Sequence, residues 1–127
     1  MADETPVSEI MSSPVKTVDP DTPIDEVARV FAEEGVGSLI VGEDPIQGII
    51  TEYDVVKSIG QGKDPQATTV ADLMSDPVVT IRPHETVEEA GNRMGKNGVK
   101  KLPITEDGKP VGIVTTTDLS NFLPHLV

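Results

Sequence analysis

Residues 48–54 read GIITEYD and residues 112–118 read GIVTTTD. Each is a Gly, two aliphatics, a Thr, two variable positions and an Asp, and the rest of the chain lays itself out around this pair. An offset of 63 residues sets Ile10 and Met11 on Leu73 and Met74, Pro14 and Val15 on Pro77 and Val78, Thr17 on Thr80, and Pro20 on Pro83. It also sets Ile24 on Val87, Phe31 on Met94, Gly35 on Gly98 and Leu39 on Leu102. One extra residue around Asp107-Gly108-Lys109 moves the offset to 64, so that Gly48, Thr51 and Asp54 meet Gly112, Thr115 and Asp118. The sequence is a tandem duplication, and its architecture is one supersecondary unit written twice.

Within each copy the periodicity is helical and then strand-like. Ile24, Val27, Ala28 and Phe31 stand at i, i+3, i+4 and i+7, as do Val87, Ala90, Gly91 and Met94. That spacing makes one apolar helix face. Thr22-Pro23 reads as an N-cap with Pro at the first helical position, Thr86-x-x-Glu89 as a capping box, and Gly35 and Gly98 as left-handed C-caps. Two strands follow, 38–41 and 47–50 in the first copy and 102–105 and 111–114 in the second. Their turns run through Glu43-Asp44-Pro45 and Glu106-Asp107-Gly108, the latter a strong hairpin signal. A second helix starts near Thr51 or Thr115. A Val-x-x-hydrophobic-Met turn and an extended Pro-Val-x-Thr-hydrophobic stretch precede each copy, and GQGKDPQATT (60–69) reads as a linker.

The bounds on function are firm. A chain of 127 residues is long enough for a real core, and the absence of Cys excludes disulfides, thiolate metal sites and Cys nucleophiles. No apolar run reaches the roughly 20 residues a membrane span needs, and MADETPVSEI lacks the features of a signal peptide, so a soluble, cytoplasmic protein is expected. There are 22 acids and 10 bases, net −12. Such a charge disfavours nucleic acid and anionic membranes as partners. It fits the acidic, lysine-poor surface of a halophile-like protein, or an acidic binding face. Residues 1–69 carry 14 acids and 4 bases, residues 70–127 carry 8 and 6, so an anionic ligand is drawn to groups of the second copy.

The ordered set EIM/DLM, P-V-x-T-V/I, the amphipathic helix, V-K-K-L-P-I, the hairpin and G-x-x-T-x-x-D, occurring twice, resembles a tandem pair of CBS (cystathionine beta-synthase) domains. The resemblance spans Val7 to Leu123, and is to a stand-alone pair with no attached enzyme domain. It implies an α/β (α+β) fold of two pseudo-symmetric βαββα repeats packed sheet to sheet, divided as repeat 1 over 7–62, a linker over 63–69 and repeat 2 over 70–127. It implies an adenosine-containing ligand (AMP, ADP, ATP, S-adenosylmethionine or sometimes NAD) in clefts between the repeats, and a homodimer. No cofactor is required and no metal site is expected.

Two readings of Thr51-x-x-Asp54 and Thr115-x-x-Asp118 then stand together. One is a capping box at a helix start. In the other, the carboxylate accepts hydrogen bonds from both hydroxyls of a ribose, and the first-turn amides suit a phosphate. The resemblance carries ribose binding onto Asp54 and Asp118, ribose or phosphate contact onto Thr51 and Thr115, and contact near the base onto Thr17 and Thr80. Gly48 and Gly112 would let a ligand approach the backbone. Lys100 and Lys101 match the family's phosphate-side cations, or guard a strand edge; the first copy has Gly37-Ser38 there.

Other candidates are weaker. His84 and His125 follow no metal spacing and read as surface residues. Among Glu85, Glu88 and Glu89, helical spacing exposes the last two, and Arg82 and Lys16 read as surface cations. Met11 and Met74 read as core or dimer contacts. No nucleophile–base arrangement is present and aromatics are too few for single-stranded nucleic acid, so a non-enzymatic regulatory sensor is expected. Its rival is a ligand-free structural module that dimerises or contacts an effector protein.

Overall fold

The computed structural model describes residues 4–13, 15–75 and 78–122; Pro14, Pro77 and His125 lie outside the described residues. The chain divides into two compact units, one formed by Lys16–Val78 and the other by the described residues of Met1–Val15 and Val79–Val127. The units are offset from the sequence repeats, because the short arm that opens each repeat packs on the core that follows the other. Val7, Ile10 and Met11 join the core of the second unit, while Val70, Leu73 and Met74 join that of the first.

In the first unit, strand β1 (Thr17–Val18) pairs parallel with β2 (Ser38–Val41), which pairs antiparallel with β3 (Gly48–Thr51). Helix α1 (Ile24–Glu34) lies between β1 and β2 in the chain; α2 (Glu52–Gly60) follows β3, and a short α3 (Val70–Leu73) closes the unit. In the second unit α4 (Val87–Asn97) precedes β4 (Lys101–Glu106) and β5 (Lys109–Thr115), an antiparallel hairpin followed by α5 (Thr116–Phe122). Ile81 adds a single parallel bridge to Ile104 where β1 stands in the first unit. Val7–Glu9 forms a 3-10 turn.

The apolar stripes predicted for α1 and α4 are the buried faces. Ile24, Val27 and Phe31 pack on Leu39, Val41 and Ile50, and Ala90 and Met94 pack on Leu102, Ile104 and Val114. Both helices end on a left-handed glycine, Gly35 at φ 69° and Gly98 at φ 65°. The β4–β5 turn passes through Asp107 (φ 53°) and Gly108 (φ 81°), the paired positive angles that a tight hairpin turn requires.

Two helix starts differ from the sequence reading. Pro23 itself is the N-cap of α1 and gives no side-chain cap. Its first amides are met instead by backbone carbonyls of the 64–69 loop: Ile24 N–H donates to Thr68 O at 2.9 Å and Asp25 N–H to Pro65 O at 3.1 Å. In α4 only half of the capping box forms. The Glu89 amide donates to Thr86 Oγ1 at 3.1 Å, but the Glu89 carboxylate turns forward to Arg93, where a guanidinium is the stronger partner.

Candidate functional site

The alternation of side chains along paired strands puts the candidate threonines and Lys101 on one face of each sheet, and Gly48 and Gly112 on the other. In the second unit Leu102, Ile104 and Val114 face the core, which leaves Lys101, Pro103, Ile113 and Thr115 on the opposite face. Lys101 pairs with Thr115 and Pro103 with Ile113. Thr80, one residue before core-facing Ile81, stands on that same face beside Pro103. The first unit repeats the arrangement with Thr17 opposite Ile40, Ile40 opposite Ile49, and Ser38 opposite Thr51. Each unit therefore sets a Thr at one corner, an apolar strip, and a Thr at the diagonal corner; Ile40, Ile49 and Pro103 of that strip are buried and Ile113 is half-buried. From strand spacing, the diagonal is about 12 Å, close to the length of a nucleoside.

At the second corner both G-x-x-T-x-x-D motifs fold as reciprocal caps. Asp54 Oδ2 accepts from Thr51 N–H at 2.8 Å and from Thr51 Oγ1 at 3.0 Å, and the Asp54 amide donates to Thr51 Oγ1 at 3.3 Å. Asp118 Oδ2 accepts from Thr115 N–H at 2.8 Å and from Thr115 Oγ1 at 3.1 Å, and its amide returns to Thr115 Oγ1 at 3.2 Å. Each cap engages a single carboxylate oxygen; Oδ1 of Asp54 and of Asp118 has no hydrogen-bond partner among the described residues.

A third copy of this geometry tempers its meaning. Thr69 and Asp72 form the same box at α3, with bonds of 2.9 and 3.1 Å, outside any G-x-x-T-x-x-D frame. The Thr69 amide holds the Asp72 carboxyl below the usual carboxylate range. The cap is thus a general helix-start device of this chain, and what sets Asp54 and Asp118 apart is their place beside the non-core sheet face.

Several expected contacts take a different form. The Glu52 and Thr116 amides donate to the carbonyls of Gly37 and Lys100, at 3.2 and 2.9 Å, so with the Asp54 and Asp118 amides on Thr hydroxyls, little of either first turn is left for a phosphate. The space over Gly48 and Gly112 is filled by the chain. A Cβ on Gly48 would lie 2.6 Å from the Ser75 carbonyl oxygen and 2.9 Å from Met74 Sδ, and one on Gly112 would strike Met11 Sδ and lie 3.2 Å from the Ser12 carbonyl oxygen. These glycines admit the neighbouring arms, which pair as Ser75 with Ile49 and Ser12 with Ile113. Met11 and Met74 accordingly pack against the cores. Lys100 is exposed and Lys101 half-buried.

At the other corner the repeats diverge. Thr17 Oγ1 donates to Glu43 Oε1 at 2.8 Å, and the adjacent hollow of about 410 Å³ is lined by Asp19, Glu43 and Asp44 with no cation. The Thr80 hollow, about 470 Å³, contains Arg82, His84 and Arg93 beside Glu85, Glu106 and Asp107. Lys16 is tied to Glu34 at 3.3 Å, and Arg82 and His84 are exposed. Neither hollow is lined by the Thr–Asp caps. Among the described residues no His, Asp and Glu group could hold a metal ion, and no helix is long and apolar enough to cross a membrane.

Sequence reasoning missed Arg93. Its Nη1 donates to Thr80 O at 2.9 Å and to Glu85 Oε2 at 3.2 Å; Nη2 donates to Glu85 Oε1 and Glu89 Oε2, both at 2.8 Å; Nε donates to Glu89 Oε2 at 3.1 Å. All five guanidinium donors are engaged. The Glu89–Arg93 pair at i, i+4 was readable; the bond to a backbone carbonyl leaves no trace in sequence. The Arg93 guanidinium holds the Glu85 carboxyl below its ordinary value of 4.5. A carboxyl depressed on folding contributes stability that is complete above its unfolded value and lost as pH falls through the folded one. Melting temperature should therefore drop as pH is lowered below about 4.5, and Glu85→Gln should shrink that drop; an unchanged acid limb in thermal melts would count against the pairing.

A CBS domain family model matches residues 7–61 and 70–125, and the chain belongs to the CBS domain family as a tandem pair. It is similar to an uncharacterized protein of Methanopyrus kandleri, 40% identical over 95% of this chain and 64% of that protein; the chain thus spans a little under two thirds of that relative. It is also 32% identical to the CBS domain-containing protein YhcV of Bacillus subtilis, over 90% of this chain and 82% of that one. Among solved structures, the CBS domain pair of protein MJ0100, in complex with 5′-methylthioadenosine and S-adenosyl-L-methionine, superposes with a TM-score of 0.85 at 28% identity, covering 95% of this chain and 97% of that one. The hexameric CBS-CP12 protein of bloom-forming cyanobacteria gives 0.85 at 25% identity, covering 96% of this chain and 71% of that one.

Proposed function

We propose that this CBS pair is a regulatory sensor that binds an adenosine-containing ligand, and that it is not itself an enzyme. The observation that carries the reading is the shared non-core sheet face. A purine is placed over half-buried Ile113, beside buried Pro103 and near Thr80 (or beside buried Ile40 and Ile49 near Thr17), and the ribose hydroxyls reach Oδ1 of Asp118 (or Asp54). Lys100 and Lys101 supply positive charge for a phosphate or carboxylate, with Thr115 beside them, whereas the first repeat offers Thr51 and no equivalent cation. The ligand of the MJ0100 pair supports the adenosyl class. Ligand binding alters an equilibrium between conformations only through its differential affinity for them, and an effector protein reads the change.

A second reading, a module that works by association, is favoured by α2. Tyr53, Val56 and Ile59 stand at i, i+3 and i+6 on that helix with exposures of 71, 63 and 57%, a stripe that a second copy or an effector protein would cover. Calorimetric titration at high salt with AMP, ADP, ATP, S-adenosylmethionine, 5′-methylthioadenosine and NAD tests the first reading. Binding of at least one at about micromolar strength, roughly −8 kcal/mol, is expected. A chain that binds none of them yet sediments as a stable dimer would establish the second reading instead.

A further inference from the structure

The two repeats share a fold but not the wiring around their base-side threonines. In the second repeat the Thr80 carbonyl is held by Arg93 at 2.9 Å, and Arg93 is itself pinned by two bonds to Glu85 and two to Glu89. Glu85 Oε2 also accepts from the Arg82 amide at 2.8 Å, so the segment from Thr80 to Glu85 is tied to α4 at both ends. The Thr80 hydroxyl has no partner among the described residues. In the first repeat the position of Arg93 is held by Val30 and that of Glu85 by Thr22. No side chain of α1 grips the Thr17 carbonyl there, and the Thr17 hydroxyl is already engaged by Glu43.

We infer that Arg93 is a positioning residue for ligand binding in the second repeat, setting Thr80 in place before the ligand arrives, and that this repeat fills ahead of the first. The inference rests on the sensor reading given above. Two physical terms act in the same direction. A contact group already fixed costs less ordering when the ligand docks, and the Thr80 hydroxyl is able to donate, whereas the Thr17 hydroxyl proton is already committed to Glu43. The charge term acts the same way, because the Thr17 hollow is lined by Asp19, Glu43 and Asp44 without a cation, while in the Thr80 hollow Arg82 and Arg93 offset part of the charge of Glu85, Glu106 and Asp107.

The test is calorimetry with whichever adenosyl compound the parent chain binds, on the parent and on Arg93→Met, Thr80→Ala, the double variant, Asp54→Asn and Asp118→Asn. Asp118→Asn should weaken the tighter binding step at least tenfold and leave the weaker one unchanged, and Asp54→Asn should do the reverse. Arg93→Met should weaken the tighter step about five- to tenfold and leave the weaker step unchanged. If Arg93 acts through Thr80, adding Arg93→Met to Thr80→Ala should cause little further loss. A merely structural role would give losses that add and would weaken both steps in proportion to the fall in melting temperature. Should Arg93→Met fail to fold, Glu85→Gln, which loosens the clamp while keeping the guanidinium, should weaken the tighter step by a smaller factor. Additive losses, or a tighter step weakened by Asp54→Asn, overturn the inference while leaving the sensor reading intact; a parent chain that binds none of the compounds overturns the sensor reading itself.

Discussion

Asp118→Asn is expected to weaken adenosyl-ligand binding in the second repeat at least tenfold while leaving the fold in place. The asparagine carbonyl can still accept from the Thr115 amide, as Asp118 Oδ2 does at 2.8 Å, so most of the cap survives. The other side of the group becomes a donor and can no longer accept from a ribose diol. A hydrogen bond to a charged acceptor is worth about 1.5–3 kcal/mol, and about 1.4 kcal/mol is tenfold in affinity, so losing even one of the two bonds meets the prediction. Asp118→Ala removes the acceptor together with the carboxylate half of the box, the bonds from Thr115 N–H and Oγ1, while the bond from the residue 118 amide to Thr115 Oγ1 remains, so it should lower stability as well as affinity. Asp72→Ala is the internal control: it breaks an equivalent box at Thr69 and should lower stability without touching ligand affinity. Unchanged affinity in Asp118→Asn, Asp54→Asn and the double variant would leave the Thr–Asp pairs as caps and nothing more.

That control also marks what sequence could and could not say. The period of the apolar positions placed α1 and α4, the Asp107-Gly108 dipeptide placed the tight turn, and β2 falls on residues 38–41 as read. Each of these rests on side-chain chemistry local to a few residues. The duplicated G-x-x-T-x-x-D motif was equally visible, and both caps form. What stayed hidden involves partners distant in the chain or partners without side-chain identity. The amides that open α1 are met by carbonyls of Pro65 and Thr68, and any residue type offers a carbonyl. The arm of Val7, Ile10 and Met11 packs on the core built from Leu102, Ile104 and Val114, partners about ninety residues away in the chain. Arg93 reads as one more charged residue on a helix until the Thr80 carbonyl is seen 2.9 Å away. The CBS resemblance brought the site residues to notice; that the threonines share one sheet face while Gly48 and Gly112 lie on the other follows from strand register, which a sequence leaves open until pairing partners are known.

The paired glycines give the second large effect, and they should respond unequally. Both open the two equivalent motifs, and a ligand-contact role alone would make Gly48→Ala and Gly112→Ala similar in stability. The packing says otherwise. At Gly48 the added methyl would sit 2.6 Å from the Ser75 carbonyl oxygen, a backbone atom fixed by the bond from Ser75 N–H to Ile49 O at 2.9 Å. Relief requires moving the arm off β3, and overpacking of this kind costs about 1–3 kcal/mol or more. At Gly112 the severe clash is with Met11 Sδ, the end of an unbranched, adaptable side chain, while the Ser12 carbonyl oxygen stands back at 3.2 Å. Gly112→Ala should therefore destabilise less, and Met11→Ala added to it should recover part of the loss. Met74→Ala added to Gly48→Ala should recover little, because its obstacle is backbone. Thermal and urea melts of the four variants read this directly. Equal losses at the two glycines, or full rescue of Gly48→Ala by Met74→Ala, would mean that the arm yields easily and that the Ser75 carbonyl is not what keeps position 48 a glycine.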